Sequence, residues 1–120
     1  MSIPYHSQNR KIGAAYEEKA AAYLKEQGYH ILAQNFICRQ GELDIVAKDK
    51  EYLVFVEVKY RKSGMYGQAI ESISYQKMKR IYATARYYMY CNNFSENTPC
   101  RFDVIAFENQ EMIHIKDAFW

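Results

Sequence analysis

A chain of 120 residues has room for one hydrophobic core and not comfortably for two, so a single domain over 1–120 is expected. Its composition, 49% hydrophobic and 25% charged, excludes a disordered tail, and no run approaches the roughly eighteen apolar residues of a membrane-spanning helix. The net charge of +2 is too small to announce a polyanionic partner by itself, and the three cysteines, Cys38, Cys91 and Cys100, have no C-x-x-C spacing that would suggest a zinc site or a disulfide framework.

The cysteines therefore read as small apolar fillers. The polar start Met1 to His6 lacks the basic-then-apolar layout of a signal peptide, which places the chain in the cytoplasm with no membrane partner. From about Asn9 to Gln27, Ile12, Tyr16, Ala20, Tyr23 and Leu24 recur at helical spacing, and Gly28 stops the helix. Tyr29 to Ile37 has strand-forming residues with imperfect alternation. Gln40-Gly41 supplies a turn into a second strand, Glu42 to Ala47, and a polar corner at Lys48 to Glu51 leads into Tyr52 to Lys59. That third segment is β-branched and apolar on both faces, the pattern of a central strand.

Gly64 and Gly67 predict a loop, and the helical period returns from Gln68 to about Tyr90, with Ser74 placed to cap a second helix within that span. Asn92 to Pro99 reads as a linker, Arg101 to Phe107 as a strand, Asn109-Gln110 as a turn and Met112 to Ile115 as a last strand. The order is α, three β, α, two β. This predicts an α/β fold, a central mixed sheet of about five strands flanked by helices.

Chemistry concentrates on the central strand. Side chains alternate there, so Leu53, Phe55, Glu57 and Lys59 share one face and Val54, Val56 and Val58 the other. Ionised groups in an apolar strand are costly unless paired, hydrated or bound to metal. The neighbouring hairpin strand offers Asp44, and strands about 5 Å apart bring its carboxylate beside Glu57. A hard divalent cation, Mg²⁺ or Mn²⁺, relieves the repulsion between two such carboxylates. It also suits phosphodiester hydrolysis, with Lys59 orienting water or offsetting charge. The same E-x-K tripeptide also serves as an intrastrand surface pair on a half-wet sheet, with Asp44 merely solvated.

Gly41-Glu42-Leu43-Asp44, twelve residues, then Glu57-Val58-Lys59 resembles the core motif of the PD-(D/E)XK nuclease superfamily. More narrowly, Gly13, Glu17, Ala20, Tyr23-Leu24, the segments 41–45 and 54–61, Lys77, Arg101-Phe102-Asp103-Val104 and Ala118-Phe119 resemble the UPF0102 (YraN-like) family over nearly the whole chain. The resemblance implies a restriction-endonuclease-like fold, distantly similar to archaeal Holliday junction resolvases, and nucleic-acid binding. It carries Asp44 and Glu57 over as metal carboxylates, Lys59 as the active-site lysine, the Val58 carbonyl as a further ligand and Glu17 as an acid completing the site. An ordinary helix-surface carboxylate explains Glu17 equally well. Tyr16 departs from the glycine of many relatives, which implies altered helix packing. Glu42 reads as a turn-adjacent charge or a contact to the metal through water.

Arg61, Lys62, Gln76, Lys77 and Arg80 are the candidate phosphate contacts, with Lys79 and Arg86 on the same helix. Tyr60 and Tyr66 are placed for base stacking, whereas Tyr23, Tyr82 and Tyr88 fit core or boundary positions. His6, His30 and His114 lack ligand spacing and read as structural or exposed. The leading expectation is a metal-dependent endonuclease acting on DNA, including branched DNA. The alternative is a nucleic-acid-binding protein without turnover on the same scaffold. Action on two strands would favour a homodimer.

Overall fold

Among the described residues five strands pair in chain order into one sheet, β1 (His30–Cys38), β2 (Gly41–Asp49), β3 (Tyr52–Arg61), β4 (Cys100–Glu108) and β5 (Glu111–Ile115), with α1 (Ile3–Glu26) before them and α2 (Tyr75–Cys91) between β3 and β4. This computed structural model describes residues 3–61, 73–109 and 111–119, with the backbone alone for 3–12 and Arg61. The readings at His6, Lys62, Gly64, Tyr66, Gly67, Gln68, Ile70 and Gln110, together with the side chains of Ile12 and Arg61, lie outside what is described.

Hairpins pair β1 with β2 and β2 with β3 antiparallel, the α2 crossover makes β3 and β4 parallel, and β5 returns antiparallel to β4. The result is the mixed sheet of an α/β fold. The alternation of β3 sorts the core into two layers. Leu53 and Phe55 pack with Ile81, Ala85 and Tyr88 of α2, while Val54 and Val56 pack with Ala20, Ala21 and Leu24 of α1. Burial of these side chains, each stabilising by about 1.5–3 kcal/mol for the larger ones, fixes which face each helix covers.

Helix α1 begins at Ile3, ahead of the expected Asn9. Pro4 fits there, because the first turn of a helix has no use for its missing N–H. At the far end Gly28, with φ 94°, turns the chain so that Tyr29 N–H donates to Leu24 O at 2.9 Å. Helix α2 starts at Tyr75, where Ser74 Oγ accepts from Lys77 N–H at 3.1 Å. Tyr16 stacks on Tyr60 with centroids 4.3 Å apart, so the bulky residue at that position fills space between α1 and β3. Tyr88 is buried and Tyr23 half-buried, but Tyr82 is exposed, with its ring tilted against Phe102. Of the cysteines, Cys100 packs against Met89 as a filler would, whereas Cys91 is exposed at the helix end.

The scattered histidines conceal one buried network. Asp103 is fully buried, and its Oδ1 accepts from Arg101 Nε at 2.9 Å and Asp117 N–H at 3.0 Å. Its Oδ2 meets Arg101 Nη2 at 3.1 Å and His114 Nε2 at 2.8 Å. Burial pushes the Asp103 carboxyl up, but the bonds from His114, Arg101 and Asp117 outweigh it and hold the pKa below 3.8. An ionised Asp103 only accepts, so Nε2 of His114 carries a hydrogen, and the Tyr23 hydroxyl lies 3.1 Å from Nδ1 on the other side of the ring. Arg101 also reaches Asp49 at 3.1 Å and the Tyr29 hydroxyl at 2.7 Å. The network ties β2, β4, β5 and the end of α1 together. Asp103→Ala is expected to destabilise the fold by about 3–5 kcal/mol in urea denaturation, because it removes the sealed carboxylate that Arg101, His114 and Asp117 N–H all meet. Stability contributed by Asp103 is present above pH 3.8 and is lost as pH falls through its lower folded-state pKa.

Candidate metal and phosphate site

The ladder between β2 and β3 runs from Asp49↔Tyr52 to Ile45↔Val56 and stops. The next residues on each strand are Asp44 and Glu57. Here the strands part, and Asp44 Oδ2 accepts from Val58 N–H at 2.8 Å, so its carboxylate reaches the backbone of β3. Strand β2 also rotates at this point: Leu43 packs in the α2 layer and Ile45 in the α1 layer, so Asp44 stands between the two faces. Across the β1 pairing, Asn35 has φ 55°, a left-handed value that asparagine tolerates, between the partners Gln34↔Ile45 and Phe36↔Leu43. The in-out alternation of β1 breaks at this residue, while its register with β2 shifts earlier, between Ile31 and Ala33.

Glu17, Asp44, Glu57, Lys59, Lys77 and Arg80 line one hollow of about 310 Å³. Glu42, Val58 and Ile81 complete much of its wall. Glu57 is 8% exposed, and its Oε2 lies 2.8 Å from Lys77 Nζ and 3.5 Å from Lys59 Nζ. The intrastrand pair is therefore real, but it is buried in a cleft and shared with α2. Gly41, with φ 153°, forms the corner where the hairpin meets α2. A Cβ there would stand 3.0 Å from Oγ1 of Thr84, a sealed side chain that donates to Arg80 O at 2.7 Å.

The electrostatics are those of crowded carboxylates. Burial, then the charge of Glu57, pushes the Asp44 carboxyl up to about 8, with Val58 N–H opposing and Glu17 adding to the rise. Glu17 is raised as well, by burial first, against a hydrogen bond with Asn35, with the charges of Glu42 and Glu57 contributing. Burial and the neighbouring Lys77 hold the Lys59 ammonium below its ordinary pKa. For Lys77 the burial penalty is outweighed by Glu57, and its pKa rises. Without an added cation, Glu57 is neutralised by two lysines and Asp44 by a proton.

Among the described residues no group of three or more Asp, Glu, His or Cys side chains is disposed to hold a metal ion. The smaller donor set of Asp44 and Glu57 fits a hard cation that takes one or two carboxylates and keeps several waters, as Mg²⁺ does. The raised Asp44 pKa supports that fit, since a divalent charge would replace the proton.

Of the residues singled out from the sequence, Asp44, Glu57, Val58, Lys59, Glu17, Lys77 and Arg80 come together in this hollow. Gln76 is exposed on α2 and does not line it. Arg61 ends β3 with its side chain outside the description, as is the whole of Lys62. Asn35 was not anticipated, and its signal was an asparagine at the break in strand alternation.

The chain matches the profile described as "Uncharacterised protein family UPF0102" over residues 16–107. It is 53% identical over 112 residues to a UPF0102 protein of Lachnoclostridium phytofermentans, covering 92% of this chain and 95% of that protein. It is 42% identical over 120 residues to one of Clostridium botulinum, strain Loch Maree, covering 95% and 98%. With one of Nitrosococcus oceani it shares 37% over 115 residues, covering 92% and 93%.

Proposed function

Because the chain belongs to the UPF0102 family, whose description names no activity, we propose a function from the site itself: metal-dependent hydrolysis of DNA phosphodiester bonds on a restriction-endonuclease-like scaffold. The observation that carries this reading is the Asp44–Glu57 pair at the end of a splayed ladder, with Lys59 and Lys77 beside it and the Asp44 carboxyl held near pKa 8. A structural ion pair does not need a second buried carboxylate repelling it.

Asp44 and Glu57 would hold Mg²⁺ or Mn²⁺, with the Val58 carbonyl and Glu17 at its margin. Bound there, the ion would lower the pKa of a coordinated water and offset charge on the scissile phosphate. To admit it, Asp44 would give up its proton and Glu57 would loosen its contacts with the lysines. Lys59 sits beside Glu57, where its ammonium would orient the attacking water or offset the negative charge that develops on the phosphate. Lys77 and Arg80, on the α2 wall of the hollow, face an incoming phosphate. Water would add to phosphorus as it gives up a proton to solvent, the bond to the leaving oxygen would break, and that oxygen would take a proton back from solvent.

The test is cleavage of duplex, flap and four-way DNA with Mg²⁺ or Mn²⁺. Wild type is expected to cut at least one substrate in a metal-dependent manner, and Asp44→Ala to cut none. Identical behaviour of the two proteins on every substrate would remove the catalytic reading. Salt-sensitive DNA binding without turnover would then leave the nucleic-acid-binding alternative.

A further inference from the structure

Helix α2 contains four cations, Lys77, Lys79, Arg80 and Arg86, and no Asp or Glu among its 17 residues. Among the described residues the ion pairs of these cations are confined to Lys77 with Glu57. A helix face that serves only solvation ordinarily mixes acids with bases, since Glu–Lys pairs one turn apart add stability. This face instead mixes bases with tyrosines. Tyr75, Lys79, Tyr82, Arg86 and Tyr90 follow one another at steps of three and four residues, which aligns them along one stripe.

Tyr75 and Tyr90 of that stripe stand outside the core, which α2 supplies through Ile81, Thr84, Ala85 and Tyr88, while Tyr82 between them leans on Phe102. Tyr75 is 68% exposed and Tyr90 80%. Lys79 Nζ stands 5.4 Å from the centroid of Tyr75 and Arg86 Cζ 5.9 Å from that of Tyr82, close enough for each cation to steady its ring. The stripe thus alternates aromatic surfaces with positive charges along roughly 22 Å of helix at about 1.5 Å per residue. Tyr82 and Arg86 also border a hollow of about 440 Å³ walled by Phe94 and Phe102, with Glu96 the acid on its lining.

We infer that the outer face of α2 binds single-stranded DNA, with bases stacking on Tyr75 and Tyr90 and the intervening phosphates meeting Lys79 and Arg86. A duplex would use only the cations, because its bases are already stacked on one another. An unpaired strand uses both components, which is the usual chemistry of sequence-tolerant single-strand binding. That the bound strand is one cut at the Asp44–Glu57 hollow rests on the function proposed above. The binding itself does not, and it is measured without metal.

Anisotropy of a labelled oligothymidylate in EDTA tests the stripe. Tyr75→Ala/Tyr90→Ala, the most exposed positions, is expected to weaken single-strand binding tenfold or more while changing duplex affinity less than twofold. Lys79→Gln/Arg86→Gln is expected to reduce the log–log salt slope by about 1.4, from about 0.7 per phosphate contact on single strands. Photocrosslinking of wild type to a bromodeoxyuridine-containing strand gives a readout independent of variants, with adducts expected on α2. The inference is overturned by equal affinity of wild type for duplex and single strand, by tyrosine variants that bind as wild type does, or by equal competition from polyglutamate. Loss of cleavage with stripe binding intact counts instead against the hydrolytic function.

Discussion

Asp44→Asn is expected to abolish metal-dependent cleavage and, in the same protein, to stabilise the metal-free fold above pH 8. Both effects come from one carboxyl. As a ligand it must be ionised, yet burial and the charge of Glu57 set its pKa near 8. Its unfolded-state value is 3.8, so the native state binds the extra proton between about pH 4 and pH 8. Stability should accordingly fall as pH rises through that interval and level off beyond it. Asparagine carries no charge to penalise and can still accept from Val58 N–H through its amide oxygen. Its denaturation midpoint should therefore stay flat where that of wild type declines, a difference on the order of several kcal/mol at pH 9. Saturating Mg²⁺ should flatten the wild-type profile and leave that of Asp44→Asn unchanged, because binding to the native state adds stability only where a site exists.

Glu57→Gln should abolish cleavage equally and move stability the other way. Glu57 is the carboxylate that Lys59 and Lys77 share, at 3.5 and 2.8 Å. Removing its charge leaves two adjacent ammoniums in a cleft. Breaking a sealed ion pair costs about 3–5 kcal/mol. Two features reduce that figure here: the Lys77 side chain is still 35% exposed, and Asp44 can release its proton to become the replacement anion. A loss of about 2 kcal/mol in urea denaturation at pH 7 is the expected outcome. The release carries its own signature, since the decline in stability between pH 4 and 8 should become shallower in this variant. Two carboxylates serving one ion would thus show opposite effects on folding, which a single shared role in stability would not produce.

The parts of this arrangement that were legible in the sequence are those set by local period. Alternation along Tyr52 to Lys59 placed Glu57 and Lys59 on the α2 face with Phe55, and the Ser74 cap marked where α2 begins. The hairpin made Asp44 a neighbour of Glu57, but not by simple alternation. Its position depends on the rotation of β2 between Leu43 and Ile45 and on the left-handed Asn35 across the ladder. Such a kink is favoured by the tertiary gap it opens, and the sequence offers only a missed beat in β1. Lys77 was read as a phosphate contact from its place in a basic run, yet it bonds Glu57 across 20 positions of chain. The buried partners of His114 were hidden for the same reason, since Tyr23 is 91 positions away. Helical and strand periods carry no information about contacts at that range. The early start of α1 was missed because its first turns lack a capping signal, the first turn having no acidic residue.

Diffraction from a crystal soaked in Mn²⁺ at pH 8, recorded for anomalous scattering, tests the account most directly. The expected result is one strong peak between the carboxylates of Asp44 and Glu57, with Lys77 Nζ withdrawn from its contact with Glu57. A map without density there, in which Lys77 keeps its 2.8 Å contact, would contradict the assignment of this hollow to a metal.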